Sequence, residues 1–135
     1  MYLLDTNVVS ELRRYRPHPS VVEWIRGIPH ILMHLSAVTI GEIQMGIEII
    51  RQQDPAKANE INAWLDNQVL AGFQVLPMDA DAFRVWAVMM SSSSDTLTLD
   101  AMIAATAKVH HLTVVTRNTR DFQGFDVPIL NPFSD

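Results

Sequence analysis

The residues in this chain with the most evident chemistry are acids placed where apolar runs end. Asp5 follows Tyr2, Leu3 and Leu4, Glu42 lies one turn into a helical stretch after Ser36, Asp100 opens "LDAMIAATA", and Asp121 follows Asn118 in "TRNTRDF", just past "LTVVT". In a parallel α/β sheet the ligand sits beyond the carboxyl ends of the strands, so these positions are candidates for one site. A plainer reading makes Asp5 the N-cap of a helix beginning near Asn7. Asp100 is equally favoured by the positive end of a helix dipole, and neither reading excludes a site. The helical neighbours of Glu42 are Val38, Thr39, Met45 and Gly46, none of which forms an ion pair with it. Glu42 therefore either faces a cleft or is a solvated acid without a partner.

Carboxylates forced together cannot all stay ionised unless a cation neutralises them. The chain has no Cys and no clustered His, so any such cation is held by hard oxygen ligands, which suits Mg²⁺ or Mn²⁺. Metal-activated water attacking a phosphodiester is the chemistry that donor set supports best. His30 and His34 have the spacing of helical zinc ligands but lie in a strand-like stretch without the "HExxH" glutamate, which argues against zinc. His110 and His111 close a helix and read as structural. Trp86, Met89 and Met90 read as core or as a partner surface. There is no Gly-rich phosphate loop and no "GxSxG" elbow.

Bringing these acids together requires alternating strands and helices, and the apolar pattern supplies them. Strands are predicted at 2 to 5, in "ILMHLSAV", "FQVLPM", "LTVVT" and "VPILNP". Helices are predicted at 7 to 15, 19 to 27, 38 to 52, from Asp54 and Pro55 to about Ala71, from Asp79 through "VWAVMM", and over "LTLDAMIAATAKVHH", with "SSSSDT" as a loop. Five short strands with helical crossovers predict a parallel sheet covered on both faces. At 135 residues the length predicts a single domain, 1 to 135, with one substantial core.

Hydrophobic residues make up 48% of the chain and charged residues 19%; with no signal-peptide pattern and no long apolar run, a cytoplasmic protein is expected. Ten Lys and Arg against fifteen Asp and Glu leave a net charge of −5. That sign is wrong for a protein that holds nucleic acid chiefly by neutralising phosphates. The acidic balance calls for a metal or a basic partner.

Four segments, "LLDTNVVSE", "SAVTIGEIQMGIE", "LDAMIAATAKVHHLTVVTRNTRDF" and "ILNPF", resemble in order those of PIN-domain ribonuclease toxins of the VapC or FitB-like kind, found in toxin–antitoxin pairs. The resemblance spans essentially the whole chain. It implies a PIN-like α/β/α sandwich with a five-stranded parallel sheet and Mg²⁺- or Mn²⁺-dependent endonucleolytic cleavage of RNA. It further implies that Asp5, Glu42 and Asp100 form the acidic, metal-binding core. Where some relatives carry a fourth acid, this chain has Asn118, so that place passes to Asp121, is taken by Asn118 as a neutral ligand, or is absent. Thr6 and Asn7, and Thr116 from the fourth strand, are expected to supply hydrogen bonds that orient Asp5. The implied partners are RNA and a VapB-like antitoxin whose Arg enters the acidic site, with homodimers or a higher assembly expected. Two other readings remain: a phosphatase or phosphoacceptor with Asp5 as nucleophile, and an inert binding module.

Overall fold

A computed structural model describes residues 1–92 and 95–133. Its strands are β1 (Tyr2–Leu4), β2 (Met33–Ser36), β3 (Gln74–Leu76), β4 (Thr113–Val115) and β5 (Ile129–Leu130). Its helices are α1 (Thr6–Glu11), α2 (Pro19–Arg26), α3 (Ala37–Arg51), α4 (Pro55–Trp64), α5 (Ala80–Met90), α6 (Thr98–His110) and α7 (Thr119–Phe122). The five strands form one parallel sheet in the order β3-β2-β1-β4-β5. The chain builds outward from β1 on one side, then crosses to lay β4 and β5 on the other. That reversal opens a crevice beyond the carboxyl end of β1, where Asp5 stands.

Both faces of the sheet are covered, which is why the strands read as continuous apolar runs. Leu4 packs with Val8, Val21, Leu35, Ile43 and Ile47 on one face, whereas Leu3 packs with Ile103, Ala104, Val114 and Phe122 on the other. Ala101, Ala104, Ala105 and Ala107 are all fully buried on α6. Their small side chains let that helix lie close to the sheet. Met89 is buried, with Trp86 and Met90 packed against the same cluster, so these three belong to the core.

Several boundaries differ from the expected ones. Strand β1 stops at Leu4, because Asp5 already has its carboxylate on the Thr6 N–H as the N-cap of α1. Helix α1 ends at Glu11 rather than at residue 15. The buried Glu11 carboxylate accepts the His18 N–H at 2.8 Å, which pulls the following residues into a turn. The helix from Pro55 ends at Trp64 and continues as a π-helical segment, Leu65–Leu70. His30 lies in a 3-10 turn and His34 in β2, so they share no helical face. Part of the expected "SSSSDT" loop, Ser93 and Ser94, falls outside the described residues; Asp95–Leu97 forms a 3-10 turn. Among the described residues no helix is long and apolar enough to cross a membrane.

Candidate active site

Asp5 sits where β1 meets β4. Its N–H donates to the Val115 carbonyl at 2.9 Å, and only 4% of the residue is exposed. One carboxylate oxygen accepts the Thr6 N–H at 2.8 Å. The other accepts the Thr116 hydroxyl at 2.7 Å and the Asn7 side-chain amide at 3.0 Å. Three donors favour the charged form, yet burial outweighs them and raises the Asp5 pKa, with Asp121 adding to the rise. The supports are themselves tied down. The Thr116 hydroxyl accepts the Asn118 N–H at 2.9 Å, and the Asn7 side-chain oxygen accepts the Arg117 N–H at 3.1 Å.

Glu42 comes from the second turn of α3 and is half-buried. It accepts the Thr6 hydroxyl at 2.7 Å, and Thr39 lies 3.1 Å from that hydroxyl. Burial raises its pKa, the Thr6 bond opposes the rise, and Asp5 adds to it. This Thr6 bridge between α1 and α3 is invisible in the sequence, where the two residues stand far apart; the i, i+3 spacing of Thr39 and Glu42 is the only local trace of it.

Asp100 lies in the first turn of α6. Burial first, then the charges of Asp5, Asp121 and Glu42, push its pKa up to about 6. Asp100 thus feels all three other acids, which arrive on separate elements. Asp121 is half-buried in the first turn of α7 and acts on both Asp5 and Asp100. Asn118 is exposed, and its backbone, rather than its side chain, joins the network through Thr116. Of the two candidates for the fourth place, Asp121 is the one electrostatically joined to the cluster.

No cation contributes to the shifts of Asp5, Glu42 or Asp100. Nor do the carboxylates close on one point: among the described residues no three His, Asp or Glu side chains stand as a ready ligand set. Asp5 and Glu42 are each held by their own hydrogen bonds instead. An all-oxygen, electrostatically coupled donor set still fits Mg²⁺ or Mn²⁺, because Mg²⁺ is commonly held by one or two carboxylates and keeps several waters.

Residues 2–127 match the PIN domain family. This chain is a PIN-domain protein. It is 36% identical to Toxin FitB of Neisseria gonorrhoeae, with each chain covered in full, and 34% identical to VapC ribonuclease Y4jK of Sinorhizobium fredii, with 98% of each covered. The crystal structure of FitAcB from Neisseria gonorrhoeae superposes on this PIN domain with a TM-score of 0.90 at 35% identity, covering both chains in full. The structure of FitAB bound to an IR36 DNA fragment gives a TM-score of 0.88 at 33% identity, covering 100% of this chain and 97% of that one. The five-stranded parallel sheet expected from the alternating pattern is therefore that of the PIN fold.

Proposed function

We propose that this PIN domain is a Mg²⁺- or Mn²⁺-dependent endoribonuclease and the toxin of a toxin–antitoxin pair. The reading rests on one observation: Asp5, Glu42, Asp100 and Asp121 gather at the carboxyl edge of the sheet, and no Lys, Arg or His side chain offsets the raised pKa of Asp5, Glu42 or Asp100. Full-length similarity to proteins named as a toxin and as a ribonuclease supports it. Asp5, Glu42 and Asp100 would hold the ion, which when bound lowers the pKa of water and offsets charge developing on the scissile phosphate. Thr116, Asn7 and the Thr6 N–H fix both oxygens of Asp5, so that its orientation is set before substrate arrives. The Thr6 hydroxyl holds Glu42 in the same way from the neighbouring helix. Asp121 adds negative charge that acts on Asp5 and Asp100 and strengthens the site's demand for a cation.

An Asp5 nucleophile suits the chain less well, since aspartyl-phosphate chemistry of the haloacid dehalogenase kind calls for a second Asp two residues on, and that position is Asn7, which donates to Asp5 instead. Purified protein should cleave single-stranded RNA with Mn²⁺ or Mg²⁺ present and stop with EDTA. Failure to cleave any RNA in the presence of either ion would leave the inert binding module as the better reading.

A VapB-like antitoxin is the partner this reading calls for, in keeping with the 36% identity to a protein named Toxin FitB and the likeness to the DNA-bound FitAB structure. A recess of about 520 Å³ lined by Val38, Gly41, Met45, Ile49 and Leu99 has Glu42 in its wall. Met45 and Ile49 are 66% and 62% exposed, apolar surface that a partner helix would cover. An Arg from that partner would pair with carboxylates beyond the Glu42 end. Val21 is fully buried. Trp24 and Ile25 also pack against the core.

A further inference from the structure

Five of the ten Lys and Arg in this acidic chain lie in two short stretches, Arg13, Arg14 and Arg16 in one and Arg117 and Arg120 in the other. Both stretches touch the acid site. The Arg117 N–H donates to Asn7, itself on Asp5. Arg13 shares a recess with Thr6 and Glu42, which continues past Ile61 and Trp64 toward Glu60 and Gln68.

The two stretches are also joined to each other. The Arg117 guanidinium lies 4.5 Å from the centre of the Phe133 ring. Phe133 packs edge-on against His18, with centroids 5.4 Å apart, and the His18 N–H is held by Glu11 at the base of the 12–16 turn. The turn therefore has a fixed base and an exposed tip. Tyr15 is 94% exposed at that tip, with Arg16 6.0 Å from its ring.

Of these five arginines only Arg14 is engaged by an acid of the described residues. Among the described residues the ion pairs are Arg14 with Glu11, Arg51 with Glu48, and Lys108 with Asp126. Among the described residues Arg13, Arg16, Arg117 and Arg120 have no carboxylate within pairing distance. Nor do any of them offset Asp5, Glu42 or Asp100. Exposed guanidinium groups with an aromatic ring between them suit a single nucleic-acid strand, with phosphates on the cations and a base stacked on the ring.

We propose that the turn of Arg13, Arg14, Tyr15 and Arg16, together with Arg117, forms the surface that holds single-stranded RNA beside the acids. This rests on the ribonuclease reading and adds to it where the strand lies. It reconciles a net negative chain with an RNA substrate, because positive charge is needed only along the strand's path. Helix α1 has six residues, or about 9 Å, so the base of the turn stands one short helix away from Asp5. Arg117, Phe133 and His18 then act as positioning residues that keep the two basic stretches in register.

The test measures binding of a fluorescein-labelled single-stranded oligoribonucleotide to the full chain in EDTA across a salt series, with cleavage measured separately in Mn²⁺. Arg13→Ala and Arg117→Ala should each weaken binding roughly threefold and reduce the slope of log K against log salt by about 0.7. Tyr15→Ala should weaken it roughly tenfold while leaving the slope alone. Arg13→Lys should restore most of the slope, which a purely structural role for Arg13 would not predict. Arg84→Ala, on the α5–α6 side, should bind as wild type does. Unchanged affinity and slope in the Arg13, Tyr15 and Arg117 variants, alongside wild-type cleavage of RNA, would overturn the placement and mark the turn as a surface for an acidic protein. Absence of RNA cleavage in the wild type would instead overturn the ribonuclease reading beneath it.

Discussion

Helix α1 joins two regions that treat charge in opposite ways. At its first turn Asp5 is 4% exposed and held by three donors; just beyond its last turn Tyr15 is 94% exposed between arginines, two of them unpaired. Burial makes the acid end reactive, since a desolvated carboxylate is costly and gains most from a cation. Exposure makes the basic end useful for binding, since a solvated guanidinium exchanges water and counterions for phosphate at little cost. A site that bends the strand from one region to the other uses the same few residues of helix for both tasks.

The largest break in this contrast should come from Asp5→Asn, which keeps the shape of the side chain and removes its charge. RNA cleavage in Mn²⁺ should fall by roughly a hundredfold or more, while RNA binding in EDTA holds or tightens because a negative charge beside the phosphates is gone. Retention of cleavage in this variant would show that the acids are not the reactive half.

Thr116→Val comes next, removing the hydroxyl that donates to Asp5. Loss of a hydrogen bond to a buried charged group should destabilise the fold by about 1–2 kcal/mol, read by chemical denaturation. Cleavage should fall roughly tenfold through loss of carboxylate orientation. A variant as stable and active as wild type would mean that Asn7 and the Thr6 N–H suffice.

A smaller effect, of opposite sign, is expected for Asp100. Folding raises its pKa from 3.8 to about 6, so the native chain holds a proton over that interval that the unfolded chain has lost. Stability without metal should therefore fall as pH rises from about 4 to 6, with the full penalty present at pH 7. Asp100→Asn should lift the metal-free protein by about 1 kcal/mol at pH 7, after allowance for solvent around a half-buried group, and give little gain at pH 4. The same variant should lose cleavage. A melting temperature unmoved at pH 7 would show that the four acids are less strongly coupled than their arrangement indicates.

The smallest effect belongs to the exposed end. Arg16→Ala should change stability by no more than about 0.5 kcal/mol, measured by denaturant titration. A larger loss would mean that the turn is part of the folded core rather than a surface carried on it.

Alternation of apolar runs with amphipathic stretches was enough to place five strands, a covered parallel sheet and acids at strand ends. Those features depend on residues close together in the chain, as with Leu3 and Leu4 pointing to opposite faces before Asp5 caps the next helix. The end of α1 was not legible, because it is decided by a buried Glu11 reaching His18 rather than by the helix-forming tendency of residues 12 to 15. Nor could the sequence choose between Asn118 and Asp121, which lie within one turn of each other and differ in where that turn aims them. Thr6 was legible as a neighbour of Asp5, but its hydroxyl goes to Glu42 on another helix. The last two depend on the order β3-β2-β1-β4-β5, which sets β2 and β4 on either side of β1, so that the helix after β2 brings Glu42 to Thr6 and the segment after β4 brings Thr116 and Asp121 to Asp5. Local pattern determined which residues could be reactive; strand order decided which of them meet, because hydrogen bonds and charge coupling act through space over a few ångströms and take no account of separation along the chain.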